Sequence, residues 1–402
     1  MILLSSSSAR SELVMNVLLV DCDFPNKRKS INHSDRIPIG LLKIGNYHKK
    51  QGDTVKMIRL GKQEYTDFKA DVCFVTSSFT YYSEAVMSAV RWCRFYQPQA
   101  YVIVGGIWAS LMPQKCKELT GADKIIVGTY CDDYADYTLL DEPIDFQILH
   151  TTRGCIRNCG FCGITTIEPT FKYKKTILDE IEKQKLVFYD NNFLANPYIE
   201  NILDEMIQLR KNRKLKSVTC QSGVDLRILL RKPHLAKMLY EAGFRDCYFA
   251  WDSKEGFDQV KKVVDLLADA GFERRACKCF MLYNHELGYD VLEEKRRKCF
   301  ELGIQIMDCR YRPLTLLRDG YRSHKPLDEN YYIHPNWSNR EVRQFRKNVR
   351  RHNICIRWRM TDYYDGLKQK TMSKEEYMKL SAKEKEELEG FWNPRKHTKV
   401  GE

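Results

Sequence analysis

The chain has 402 residues, 43% of them hydrophobic and 12% aromatic, which is too long for one ordinary core and too apolar for a disordered chain. Its net charge of +13 keeps polyanions open as partners. Fifteen cysteines, with no secretory signal and no apolar window of membrane-spanning length, point to a reducing cytoplasm, free or metal-bound thiols and no membrane partner.

The Met1–Leu4 run is too short for a signal core, so residues 1–14 read as a flexible extension with Met15 as an alternative start. From Met15 the pattern becomes regular. Val17–Val20, Thr54–Ile58, Val72–Val75, Tyr101–Val104 and Lys124–Val127 are short apolar runs. Amphipathic helices are expected between them, over Gly40–Lys50 and Ala85–Trp92. Apolar runs alternating with helices imply a doubly wound parallel sheet over 15–140, with ligands at the carboxyl ends of its strands. An acidic, tyrosine-rich connector, Thr129–Glu142, ends at Pro143.

Next comes Arg153-Gly154-Cys155-Ile156-Arg157-Asn158-Cys159-Gly160-Phe161-Cys162. Three thiols at Cys-x3-Cys-x2-Cys spacing on one loop suit an iron–sulfur cluster. A closed zinc site or a fully ligated cluster needs four ligands, and the next cysteine is Cys220. One iron is therefore expected to stay open.

This loop resembles the signature of the radical S-adenosylmethionine (SAM) enzymes. The resemblance implies a 4Fe–4S cluster on Cys155, Cys159 and Cys162, SAM chelated at the open iron, and reductive cleavage of SAM to a 5′-deoxyadenosyl radical. Phe161 matches the residue that packs near the adenine. Ile39-Gly40-Leu41-Leu42, Gly52-Asp53-Thr54-Val55, Val104-Gly105-Gly106 and Gly121-Ala122-Asp123 are in turn similar to the cobalamin-binding-type domain that precedes many such cores. The resemblance thus implies cobalamin as a further candidate cofactor, held by residues 15–140. The match departs at Trp108, where a histidine is usual, and at Thr129, where an acid is usual. The Asp-x-His-x-x-Gly signature is absent, because Ser34, Asp35 and Arg36 do not complete it around His33.

Strand–helix alternation then continues. Leu186–Phe193, Ser217–Gly223, Asp246–Asp252, Ala276–Leu282 and Gly303–Asp308 are strands, and Ala-Gly-Phe turns at Gly243 and Gly271 close helices before them. With the run before the cysteine loop they make six units, expected to form a partial (β/α)6, TIM-like barrel over 141–330. Polar residues mark the strand ends, where such folds keep their chemistry. In the family's frame, Asp190, Asn191 and Asn192 replace the Gly-Gly-Glu motif that holds the SAM amino group, while Ser222, Asp225 and Asp252 lie where carboxylate and ribose contacts are usual. Ile304, Ile306, Asp308, Arg310 and Arg312 share a face by alternation. If that face is inward, two guanidiniums point at the space above the cluster. Cys277 and Cys279 share a side and, with Cys309, offer either a second cluster or core packing.

Residues 331–402 are basic and mainly helical in pattern. Eight Lys and Arg against one acid fall in 340–359, with Trp337, Phe345 and Trp358 interleaved. Arg343, Arg346, Lys347, Arg350 and Arg351 lie near one helix face, which fits RNA binding or a helix wrapping the core. A charged terminal helix is expected over Lys374–Glu389. The expected activity is radical SAM chemistry on an unidentified substrate, fed by an electron donor such as flavodoxin or ferredoxin, with methyl transfer if cobalamin binds. The competing readings are an RNA methylthiotransferase-like enzyme and a non-catalytic, metal-stabilised RNA-binding protein.

Overall fold

In the computed structural model, which describes residues 14–25, 37–63, 65–320 and 331–360 with Lys379 and Ser381, the chain is mixed α/β with parallel sheets. His33 and nearly all of Lys374–Glu389 lie outside the described residues. The early apolar runs become β1 (Asn16–Asp21), β2 (Thr54–Arg59), β3 (Val72–Ser77), β4 (Tyr101–Gly106) and β5 (Lys124–Ile125). They form one parallel sheet in the order β2-β1-β3-β4-β5. Helices α1 (Ile39–Lys50), α2 (Ser83–Tyr96), α3 (Ile107–Leu111) and α4 (Pro113–Thr120) connect them. The strands are apolar on both sides because both are covered. Leu41 and Leu42 of α1 pack on one face, and Val86, Ala89 and Cys116 of α2 and α4 on the other. The strand order reverses between β1 and β3, and the crevice beyond the strand ends at such a point receives ligands.

The second half begins with β6 (Gln147–Leu149), β7 (Thr152–Arg153), β8 (Lys172–Tyr173), β9 (Lys185–Phe188) and β10 (Ser217–Cys220), followed by β11 (Cys247–Ala250), β12 (Cys277–Tyr283) and β13 (Gln305–Arg310). Two parallel sheets result, β10-β9-β6 and β11-β12-β13. Parallel bridges Val218↔Phe244 and Val224↔Phe249 link them. β7 and β8 pair antiparallel and enclose the cysteine loop and α5 (Ile164–Ile167). Helices α6 (Ile199–Lys211), α7 (Leu226–Arg231), α8 (His234–Ala242), α9 (Phe257–Asp269) and α10 (Tyr289–Glu301) alternate with the strands, and α11 (Asn339–Trp358) follows. The α8 cap at Gly243 has φ +109°, a conformation that an L side chain resists.

Phe146, Ile148 and Val187 of the second half share a core with Leu41, Phe74 and Ile103 of the first. Apolar packing therefore runs across the expected boundary at residues 140–141.

Register decides which way the face shared by Ile306, Asp308 and Arg310 turns. Cys279↔Ile306, Met281↔Asp308 and Tyr283↔Arg310 lie side by side, and Cys279, Met281 and Tyr283 belong to the helix-covered core. From α11, Asn353 Oδ1 accepts from the Ile306 amide at 2.8 Å and Arg346 lies 3.7 Å from Asp308. Arg310 and Arg312 both pair with Asp319 and are not displayed as an anion clamp over the loop. Cys309 stands across from Leu282, on the opposite face from Cys277 and Cys279. The last two are buried, which is core packing rather than a second cluster.

Candidate metal centre and the adjoining cavity

The cysteine loop leaves β6 through Thr151 and Thr152, and its entry is fixed by Asp190 beyond β9. Asp190 Oδ1 accepts from the Thr151 amide and hydroxyl at 2.9 and 2.6 Å and from those of Thr152 at 2.5 and 2.8 Å. The carboxyl is 0% exposed. Burial pushes its pKa up against these four donors. Asp190 thus positions the loop, and its Oδ2 is buried without a hydrogen-bond partner among the described residues.

A second clasp comes from Glu168. It pairs with Arg153, accepts from the Gly154 amide at 2.6 Å and from Asn191 Nδ2 at 3.0 Å. Gly154 has φ +73°, and a Cβ there would stand 2.7 Å from Thr170 O. Only glycine makes this turn without displacing backbone.

The third clasp is Asp225, the N-cap of α7. Its Oδ2 accepts from Arg157 Nε at 2.7 Å and Asn192 Nδ2 at 3.2 Å. Burial opposes the charge, but Arg157, Asn192 and Arg227 hold the carboxyl below its usual range. Arg157 Nη2 and Asn192 Oδ1 remain buried without hydrogen-bond partners among the described residues. A donor and an acceptor are therefore left open on two residues that bond the same Asp225 oxygen.

Cys155, Cys159 and Cys162 are half-buried and unpaired as disulfides. The Cys162 amide donates to Cys159 O at 2.9 Å and the Arg157 amide to Cys155 Sγ at 3.3 Å. Burial pushes the Cys159 thiol up, with Asp252, Cys162 and Cys155 adding to it. Thus Asp252 and the three thiols share one neighbourhood. Partial enclosure also pushes the Asp252 carboxyl up, against Lys295, Arg227 and His285, although its edge is exposed. Phe161 meets His285 edge-on at 6.0 Å. Ser222 is exposed on the tip after β10. Among the described residues no group of three or more His, Cys, Asp and Glu side chains closes to single-ion spacing.

A cavity of about 360 Å³ adjoins the loop. Its walls are the carboxyl ends of the first sheet (Thr76, Gly105, Gly106), the start of α1 (Ile39, Gly40), and the loop's own Arg153, Glu168 and Asn191. Lys43 and His150 also line it. Neither was singled out in the sequence, although each carries a signal. Lys43 interrupts Leu41, Leu42 and Ile44 on α1, and His150 ends an apolar strand. Trp108 points elsewhere, fully buried in the core beneath α2 and α4.

No protein-family model matches the chain, and no curated protein matches its sequence. No helix among the described residues is long and apolar enough to cross a membrane.

Proposed function

We propose that the chain is a radical SAM enzyme whose Cys155, Cys159 and Cys162 hold a 4Fe–4S cluster with one iron open to SAM. The observation that carries this reading is the cysteine loop itself, three thiols offered from a glycine turn that Asp190, Glu168 and Asp225 anchor at three points. Three soft ligands within eight residues, anchored by that much built structure, are poorly explained as chance core cysteines. In this reading the six parallel strands β6 and β9–β13 are a partial (β/α)6 barrel, and the loop stands at their carboxyl end, where such folds do chemistry.

The residues present fit the cofactor. An amino-acid group needs a donor for its carboxylate and an acceptor for its ammonium, and Arg157 Nη2 and Asn192 Oδ1 are buried beside the loop with no partner among the described residues. Asp225 and Asn191 hold that pair and the Glu168 clasp in place, while Phe161 and His285 offer an aromatic edge for the adenine. When bound, the cluster supplies the single electron that cleaves the S–C5′ bond of SAM. The protein's part is to orient SAM and exclude water.

Cobalamin fits less well. The cavity at the first sheet lies at the low end of the roughly 300–1,000 Å³ typical of drug-sized ligands, and a corrin ring with its nucleotide tail is far larger. No step is therefore assigned to it.

The test is anaerobic purification and reconstitution, with iron, sulfide and zinc assayed and 5′-deoxyadenosine measured after addition of SAM and dithionite. The reading expects a 4Fe–4S absorption band and 5′-deoxyadenosine, both lost when any of Cys155, Cys159 or Cys162 becomes Ala. One tightly held zinc with no iron would instead assign the loop to a structural site.

A further inference from the structure

We propose that the cavity between the first sheet and the cysteine loop binds a small organic anion, with Lys43 and His150 holding its acidic group and Phe74, Ile126 and Ile164 receiving its apolar body. Its place is the first reason. It lies beyond the carboxyl ends of β3 and β4 and against the first turn of α1, and parallel sheets of this kind hold ligands beyond the carboxyl ends of their strands. Its 360 Å³ and mixed lining fit a small molecule with few polar groups.

The second reason is unmet polarity. Among the described residues no hydrogen bond or ion pair reaches the Lys43 ammonium, although it lies in a largely enclosed wall. Burial, then Lys174 and Arg153, lower its pKa, with Asp132 and Glu180 opposing. His150 is 6% exposed, touches Tyr189 ring to ring, and makes no hydrogen bond among the described residues. Burial and the cations Arg153, Lys43 and Lys174 keep it neutral, so its ring presents one N–H and one acceptor nitrogen. His150 is buried and Lys43 half-buried against the cavity, and an anion there satisfies both at once.

The other charged groups on the wall are accounted for. Arg153 is paired with Glu168, which also holds Gly154 and Asn191. Asp132 is exposed and attracts Lys43 without bonding it. Among the described residues no side chain caps the first turn of α1 where it enters the wall, and the partial positive charge there favours an anion. These features converge on a single acidic group beside an apolar floor.

The cavity shares Arg153, Glu168 and Asn191 with the clasp of the cysteine loop, but its test needs no SAM cleavage. Benzoate and phenyl phosphate are titrated calorimetrically into the full chain at low salt, with benzyl alcohol as the uncharged control. Saturable binding of at least one anion is expected, tighter than that of the alcohol, and the tighter anion identifies the headgroup as carboxylate or phosphate. In Lys43→Met the affinity should fall about tenfold or more, the size of one charge-assisted hydrogen bond. Lys43→Arg keeps the charge and should restore most of it, which separates charge from folding. In protein labelled with 15N-histidine, the anion should shift one imidazole signal that is missing in His150→Phe. Absence of saturable binding for both anions overturns the proposal, as does equal affinity in wild type and Lys43→Met, or a His150 signal that does not move.

Discussion

Arg157 donates to Asp225 across 68 residues of chain, Nε to Oδ2 at 2.7 Å, and ties the cysteine loop to the first turn of α7. The same carboxylate accepts from the Arg227 amide at 3.0 Å as a helix cap. Two functions on one side chain make its removal costly. A lost N-cap costs about 1 kcal/mol, and a buried guanidinium left without its anion adds about 1–3 kcal/mol. Asp225→Ala should therefore lower unfolding stability by about 2–4 kcal/mol in urea titrations. Asp225→Asn keeps the cap acceptor and should lose less. A midpoint unchanged in Asp225→Ala would show that the pair is not formed in solution.

Asp190 makes a sharper contrast between two substitutions. Asn presents the same Oδ1 to Thr151 and Thr152 without a charge to desolvate, whereas Ala abandons four donors. Asp190→Ala should cost about 3 kcal/mol or more, since buried unsatisfied donors cost about 1–3 kcal/mol each, and, if the loop holds the proposed cluster, the protein should lose iron. Asp190→Asn should retain iron. Its pH dependence has a definite sign: a carboxyl whose folded pKa is raised takes up protons on folding. Wild-type stability from this group is therefore greatest in acid and falls as pH rises from the ordinary carboxylate range through the folded pKa. Asp190→Asn should lack that fall, as paired urea titrations across the range would show.

Much of this arrangement is legible in the chain, and the part that is not has a physical reason. Strand runs, glycine caps and the cysteine spacing are local, so period and spacing reveal them. The clasps of Glu168, Asp190 and Asp225 join residues 14 to 68 positions apart, and nothing local marks them. Alternation put Ile306, Asp308 and Arg310 on one face correctly, but alternation gives parity without saying which face the helices cover. α11 decided that, by packing Val342, Phe345 and Val349 into the core. Lys43 and His150 were readable only as polar residues in apolar runs, a signal shared by many surface residues.

His352 sets an acid limit on the same helix. It is 0% exposed, makes a 2.8 Å hydrogen bond to Ile304 O, and is held neutral by burial, with its pKa lowered to about 3. A histidine with a depressed folded pKa binds its proton in the unfolded chain first, so stability is lost as pH falls below the ordinary value of about 6.5. From pH 7 to pH 5 this group should remove about 2 kcal/mol. His150, lowered in the same direction, adds to the effect. His352→Gln should flatten the dependence between pH 7 and pH 5. An equal slope in wild type and variant would mean that His352 titrates normally.

The basic helix α11 separates a structural face from a free one, and the two should respond oppositely to mutation. Ser338 and Glu341 cap its start reciprocally. Trp337 and Phe345, two of the three aromatics that might have stacked on bases, are buried in the core. Arg343 donates to Asn339 and Arg346 reaches Asp308. Lys347, Arg350, Arg357, Arg359 and Trp358 are exposed. Phe345→Ala should thus cost about 3–5 kcal/mol. Changing Lys347, Arg350 and Arg357 together to Gln should move stability by no more than about 0.5 kcal/mol per site and, if the proposed SAM cleavage occurs, leave 5′-deoxyadenosine formation intact. If the exposed stripe serves a polyanion, the triple variant should also lose binding to single-stranded RNA and show a shallower salt dependence than wild type. Equal RNA affinity and salt slope in the two proteins would assign α11 to wrapping alone. Loss of SAM cleavage in a normally folded triple variant would place the helix at the active site and overturn the separation of its two faces.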